Sequence, residues 1–132
     1  FWLNGTLQIS ADEQVQFLRR FYFGELGISE RTARTIRDIL LLRDTPEYRL
    51  SGKSGTYELT PTRELAWHVG YIERSDREPV FYALNMEGER VFEDWPPHRR
   101  VELVIQLARA MGVLPDGASA RRTRSPLVKL MS

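Results

Sequence analysis

Three consecutive residues, Lys53, Ser54 and Gly55, have the clearest chemical potential in this sequence. A lysine ammonium and a serine hydroxyl can together bind a carboxylate. Gly55 lets a ligand approach the backbone closely, and the N–H of the following residue, Thr56, can then donate to an oxyanion. The trio therefore indicates carboxylate binding and acyl-transfer chemistry, with a solvated turn that carries a surface lysine as the alternative.

An overlapping trio, Gly52-Lys53-Ser54, resembles the end of a phosphate-binding loop. The first glycine of that motif would be residue 47, which is Glu47, and its carboxylate would face the phosphates. The following residues, 56–60 before Pro61, do not begin a helix, so no helix N-terminus is available for the anion. A nucleotide site is therefore rejected.

The two histidines, His68 and His98, do not predict a metal site, because neither has a second ligand at helical spacing. His68 is interpreted as a side chain on one face of a predicted strand, and His98 is expected to be exposed at a helix start. The chain has no cysteine, which excludes disulfides and thiolate catalysis. A serine–histidine–acid triad stays open, although no G-x-S-x-G motif is present.

Two helices are predicted before the trio. Ser10 and Glu13 form a capping box for the first, and Gly24 and Gly27 end it. The second begins near Ser29. The apolar residues at helical spacing are Val15, Phe17, Leu18, Phe21 and Tyr22 in the first helix and Ala33, Ile36, Ile39 and Leu40 in the second, with Arg34, Arg37 and Asp38 expected on its solvated side.

Three strands and a helix are predicted from Tyr48 onward. The segments 48–54, 65–72 and 80–86 have strand-like patterns separated by polar turns, which favours an antiparallel meander. Trp67 and Tyr82 in these strands are interpreted as core residues. A last helix follows the sequence "WPP", from about His98 to Met111, with a buried stripe formed by Val101, Val104, Ile105 and Ala108.

Length and charge limit the classes of protein. The chain has 132 residues, which suits one domain with a modest core, predicted at 1–116, followed by a flexible basic tail at 117–132. Its 19 basic and 18 acidic residues nearly cancel, so no nucleic-acid partner is predicted. No apolar run is long enough to span a membrane. The chain begins at Phe1 without a methionine, and we expect a processed product or part of a longer protein.

Several segments, in order, resemble one family, the class D serine β-lactamases or oxacillinases. Phe1-Trp2-Leu3 resembles their F-W-L segment, and Lys53-Ser54-Gly55 follows at the spacing of their K-[ST]-G motif. The segments "AWHVGYIE" and "FYALNME" resemble their next two strands, and Arg100 with the helix around it resembles their C-terminal helix. The resemblance covers Phe1 to about Leu114.

This resemblance implies an α+β fold, the C-terminal part of the serine β-lactamase and penicillin-binding transpeptidase-like fold, in which helices flank an antiparallel sheet. It implies hydrolysis of β-lactams through a serine acyl-enzyme that water then releases. The implied general base is a lysine carbamylated by carbon dioxide. No other cofactor and no metal is implied for this chain.

Site roles follow from the resemblance by position. Trp2 would hold the carbamate through its indole N–H, and Leu3 would pack beside it. Lys53 would supply positive potential near the nucleophile and the substrate. For the substrate carboxylate, Ser54 would donate a hydrogen bond and Arg100 would form an ion pair. The remaining implied site residues are Gly55 in the same segment and Thr56, whose N–H would be half of an oxyanion hole.

The family's S-x-x-K motif, which supplies the nucleophile and the carbamylated lysine, is absent. Ser125 and Lys129 are one residue too far apart to form it. Its S-x-V and Y-G-N motifs are absent too, and all three precede F-W-L in the family. We therefore expect the C-terminal half of a class D-like β-lactamase, inactive alone, whose N-terminal half would be its partner.

The complete protein is expected to hydrolyse penicillin-type antibiotics in the periplasm, and the sequence allows a homodimer. Two alternatives stay open at this point. One is a penicillin-binding sensor domain that remains acylated and signals. The other is an interaction module without enzymatic activity.

Overall fold

The structure, a computed structural model, describes residues 2–3, 7–8 and 10–115, and gives only the backbone of the first two segments. The predicted tail at 117–132 lies outside the described residues. The elements in chain order are β1 (Trp2–Leu3), β2 (Leu7–Gln8), α1 (Ala11–Tyr22), α2 (Glu30–Leu40), β3 (Leu41–Asp44), β4 (Arg49–Thr60), β5 (Arg63–Glu73), β6 (Val80–Gly88), α3 (Val91–Asp94) and α4 (Pro97–Ala110).

The main sheet has four antiparallel strands in the order β3-β4-β5-β6, and β1 pairs with β2 separately. This confirms the predicted antiparallel meander and the α+β fold class. The three predicted strands are present as β4, β5 and β6, whereas β3, which precedes them, was not expected. Four residues are too few for a clear alternating pattern, and β3 is recognisable only by its pairing with residues 49–51 of β4. Pairing with β5 likewise extends β4 beyond Ser54 to Thr60.

The helix ends agree with the local signals. The Ser10 hydroxyl accepts a hydrogen bond from the N–H of Glu13 at 3.1 Å, and the Glu13 carboxylate accepts one from the N–H of Ser10. Gly24 and Gly27 have φ angles of 74° and 73°, a left-handed conformation that ends α1. The Ser29 hydroxyl caps α2 by accepting a hydrogen bond from the N–H of Thr32 at 3.1 Å. These signals could be recognised because each joins residues no more than one turn apart.

The sheet is covered by a helix on each face. On one face Leu50, Tyr82 and Leu84 pack against Val101 and Val104 of α4. On the other face the strand residues Tyr71, Phe81 and Ala83 pack against Val15 and Leu18 of α1. Two-sided burial explains why β5 and β6 are apolar along most of their length instead of alternating with polar residues.

The prediction for α2 needs two corrections. Ile39, expected among its apolar residues, is 73% exposed. Arg37, expected on the solvated side, donates to the carbonyl of Tyr22 at 3.1 Å, and its guanidinium lies 5.9 Å from the ring centre of Phe21. Helical spacing places residues on one face, but the neighbouring helix decides which face is covered.

The short helix α3 was also unexpected. Within the described residues, no helix is long and apolar enough to cross a membrane.

Candidate functional site

The Lys53-Ser54-Gly55 segment lies on β4 where that strand is paired on one side only. β3 pairs with β4 up to Ser51, and from Gly52 onward the described residues place only β5 beside it. Along such an edge, alternate residues direct their N–H and C=O groups away from the sheet. The segment therefore has backbone donors and acceptors that a ligand can reach.

Lys53 and Ser54 point to opposite faces of the sheet. Lys53 lies opposite Val69, on the face that α1 covers, whereas Ser54 lies opposite His68, on the face that α4 covers. The Lys53 side chain is exposed, and its ammonium donates to the carbonyl of Ser54 at 2.7 Å. Ser54 is half-buried. The structure thus separates the two side chains, as expected for a regular strand.

Gly55 is explained by packing against the neighbouring strand. Its cross-strand partner is Trp67, and a Cβ atom added at Gly55 would collide with the indole ring. The sequence predicted that the missing side chain admits a ligand. In the structure, the group that occupies this space is the Trp67 ring.

Arg100 on α4 reaches back to this segment. Its side chain is 1% exposed, and its Nε donates to the carbonyl of Trp95 at 2.7 Å. Its Nη1 donates to the carbonyls of Gly55 at 3.2 Å and Trp67 at 3.4 Å. Among the described residues no carboxylate lies within ion-pair distance of Arg100, and burial lowers its pKa. A buried cation with neutral partners creates a favourable position for an anion.

Ser54 also belongs to a hydrogen-bond chain that sequence reasoning missed. The Ser54 hydroxyl lies 2.9 Å from His68 Nδ1, and His68 Nε2 lies 2.8 Å from the hydroxyl of Tyr82. The Tyr82 hydroxyl also donates to the carbonyl of Ser51 at 3.3 Å. His68 and Tyr82 were interpreted as strand and core side chains. Their connection to Ser54 follows from the strand register, which places His68 directly opposite Ser54.

Two glycines make room for this chain. A Cβ atom at Gly52 would lie 2.8 Å from the Tyr82 hydroxyl and 2.9 Å from His68 Cε1. A Cβ atom at Gly70 would lie 2.7 Å from the same hydroxyl and would collide with the carbonyl of Ser51. Gly52, Gly70 and Tyr82 lie side by side across β4, β5 and β6. The tyrosine can therefore extend over the two glycines toward β4.

The electrostatics keep His68 neutral. Burial, together with the positive charges of Arg100 and Lys53, lowers the pKa of His68 to about 4. Burial also raises the pKa of Tyr82. At neutral pH the imidazole therefore has one N–H and one lone pair, and it both donates and accepts in the chain.

The other residues predicted for the site are not brought together by the described structure. Thr56 is exposed and lies opposite Ala66 in the β4–β5 pair. Trp2 and Leu3 form the backbone of β1, and their side chains lie outside the described part. Ser125 and Lys129 lie outside it as well. The described residues contain no cluster of histidines and carboxylates able to hold a metal ion.

Comparison with known proteins shows the family to which the chain belongs. The family described as the penicillin binding protein transpeptidase domain matches residues 1–102, and the chain belongs to this family. It is 37% identical over 87 residues to the β-lactamase OXA-48 of Klebsiella pneumoniae, covering 66% of this chain and 32% of that protein.

Solved structures support the same relationship. The C-terminal domain of the Bacillus licheniformis BlaR penicillin receptor superposes with a TM-score of 0.74 and 31% identity, over 86% of this chain and 45% of that one. A class D β-lactamase from Sebaldella termitidis gives a TM-score of 0.74 and 30% identity, over 85% and 45%. The chain thus spans less than half the length of these relatives. It is related both to β-lactamases and to a penicillin receptor.

Proposed function

We propose that this chain forms the carboxylate-binding half of a β-lactam site in a class D-like β-lactamase. The observation on which this rests is the buried Arg100 guanidinium, held 3.2 Å from the Gly55 carbonyl without a carboxylate partner in the described part of the chain. Penicillin-type substrates have a carboxylate beside the β-lactam ring. The Arg100 charge and the Ser54 hydroxyl are on the same face of the sheet and would bind that group.

The remaining roles follow the family pattern. Lys53, on the opposite face, would supply positive potential to the nucleophile, and the Thr56 N–H would stabilise the oxyanion of the tetrahedral intermediate. Trp2 would hold a lysine carbamate, with Leu3 beside it. The nucleophilic serine and the carbamylated lysine would come from the N-terminal half, since no S-x-x-K occurs in these 132 residues. The chain alone is therefore expected to be inactive, and the complete enzyme to work in the periplasm.

The test compares Arg100→Ala with Arg99→Ala in the intact protein that contains this chain. Arg99 is the exposed neighbour on α4 and provides the matched control. We expect Arg100→Ala to lower kcat/KM for benzylpenicillin about 10- to 100-fold, because a charge-assisted hydrogen bond contributes roughly 1.5–3 kcal/mol. Arg99→Ala should stay close to wild type.

A substrate-side control separates loss of binding from loss of folding. Benzylpenicillin methyl ester lacks the carboxylate charge, so the wild-type protein should process it more slowly than the acid. In the Arg100→Ala variant, the rate on the methyl ester should be only slightly lower than in the wild-type protein. Equal rates of the wild-type protein on acid and ester would refute a carboxylate role for Arg100.

A second function, penicillin sensing, is supported by the similarity to the BlaR penicillin receptor. A sensor would be acylated by benzylpenicillin and would stay acylated, whereas a β-lactamase releases the product. Intact-mass measurement after a short exposure distinguishes the two. Rapid return to the unmodified mass supports hydrolysis, and a lasting adduct supports sensing.

A further inference from the structure

The Ser54–His68–Tyr82 hydrogen-bond chain has a direction, which follows from counting its hydrogen atoms. Each hydroxyl and the neutral imidazole has one polar hydrogen, so each group can donate once. The contacts available within the protein are Ser54–His68 at 2.9 Å, His68–Tyr82 at 2.8 Å and Tyr82–Ser51 carbonyl at 3.3 Å. Only two arrangements of the hydrogens satisfy both contacts of the imidazole.

In the inward arrangement, Ser54 donates to His68 Nδ1, His68 Nε2–H donates to Tyr82, and Tyr82 donates to the carbonyl of Ser51. All three hydrogens then form bonds within the protein, and no ligand is needed. The Ser54 oxygen presents only lone pairs to the outside. A carboxylate also presents only lone pairs, so this arrangement repels it.

In the outward arrangement every donor is reversed. Tyr82 donates to His68 Nε2, His68 Nδ1–H donates to Ser54, and the Ser54 hydrogen points outside the chain. The Ser51 carbonyl loses only the longest of the three contacts. This arrangement gains a bond when an external acceptor is present, because Ser54 then has a partner.

We propose that His68 is a positioning residue for Ser54, and that binding of a substrate carboxylate reverses the chain and changes His68 from the Nε2–H to the Nδ1–H tautomer. The inference rests on the proposed β-lactam function. One hydrogen moves from Nε2 to Nδ1 and two hydroxyl hydrogens turn, so no proton is gained or lost overall. The inward arrangement makes Ser54 selective for an acceptor that can replace the lost Tyr82–Ser51 contact.

A charged imidazolium would be a third arrangement, since it could donate to Ser54 and Tyr82 together. Two features oppose it. His68 is fully buried, and the charged groups that act on its pKa, Arg100 and Lys53, are both positive. A substrate carboxylate bound by Arg100 would neutralise part of this field but would not remove the cost of burying the ring charge.

The test is nitrogen NMR of the intact protein labelled with ¹⁵N-histidine and ¹⁵N-glycine, which reports the imidazole rings and the glycine amides. The ligand is benzylpenicilloate, the ring-opened product, which keeps the thiazolidine carboxylate and cannot acylate a serine. His68→Gln assigns the His68 signals, and the Gly55 amide shift reports binding independently. We expect Nε2–H in the free protein and Nδ1–H at saturation. The thiazolidine methyl ester of the same ligand should leave the tautomer unchanged.

Tyr82→Phe should give a result that a purely structural role for His68 would not predict. Without the hydroxyl, Nε2–H has no acceptor, so the free variant should already contain the Nδ1–H tautomer, and benzylpenicilloate should not change it. His98→Gln, at an exposed position, should respond as the wild-type protein does.

The outcomes distinguish a failure of the tautomer change from a failure of the proposed function. An Nδ1–H tautomer in the free wild-type protein, an imidazolium on binding, or binding without any change of tautomer would each overturn the reversal while leaving the proposed function intact. Absence of any Gly55 response to benzylpenicilloate would overturn both.

Discussion

His68 should make the stability of this protein depend on pH in a defined window. Its pKa is about 4 in the folded protein, whereas an unfolded histidine has a pKa of about 6.5. The unfolded chain therefore binds a proton below about pH 6.5 that the folded protein does not accept. The His68 contribution to the free energy of unfolding is fully present above about pH 6.5 and is lost as the pH falls toward about 4.

The magnitude follows from the two pKa values. Each pH unit in the window contributes about 1.4 kcal/mol, so lowering the pH from about 7 to about 4 should remove roughly 3 kcal/mol of stability through His68 alone. The physical cause is the transfer of an imidazolium into a buried position beside Arg100 and Lys53. This is a large fraction of the stability of a typical domain.

The assay is urea unfolding at a series of pH values across this window. Carboxylates also titrate at the lower end, so the informative quantity is the difference between the wild-type protein and His68→Gln, which has no charge to gain. That difference should change by roughly 3 kcal/mol between about pH 7 and about pH 4. His98→Gln should follow the wild type, since His98 is exposed. Parallel pH curves for the wild type and His68→Gln would refute the assignment of a buried neutral imidazole.

Three further outcomes are expected. Gly70→Ala should destabilise the fold by about 3 kcal/mol or more in urea unfolding, because the added methyl group collides with the Ser51 backbone. Gly88→Ala, whose nearest contact would be a Val91 methyl group at 3.2 Å, should cost much less, and equal losses would contradict the packing argument. Ser10→Ala should lower stability by about 1 kcal/mol through loss of the α1 cap, and an unchanged unfolding midpoint would contradict it. Lys53→Ala in the intact protein should slow acylation by benzylpenicillin about 100-fold, measured by mass spectrometry of samples quenched at successive times. Near-normal acylation would refute the electrostatic role of Lys53.

The elements that could be predicted from sequence are those whose signals lie close together along the chain. The capping box at Ser10, the glycines that end α1 and the apolar stripe of α4 each involve residues within a turn or two. The strand β3 could not be recognised in this way, because its identity depends on pairing with β4. The prediction of the exposed face of α2 was also wrong, since the contact of Arg37 with α1 decides which face is covered.

The same distinction holds for the candidate site. Motif order alone pointed to Lys53-Ser54-Gly55 and to Arg100, and to the family to which the chain belongs. Their roles in catalysis stay predictions. The contact of Arg100 with Gly55 joins residues 45 positions apart, and the His68 contacts each join residues 14 apart. Such contacts depend on strand register and helix packing.

The sequence by itself thus determined the fold class, most of the helix ends and the segment where chemistry is expected. These features depend on hydrogen bonds between residues close in sequence and on the order and spacing of motifs. Only the tertiary structure decided which groups surround Ser54. A one-residue change in the register of β5 would turn His68 to the other face of the sheet. It would leave Ser54 without its neutral imidazole partner, although the amino-acid sequence would be the same.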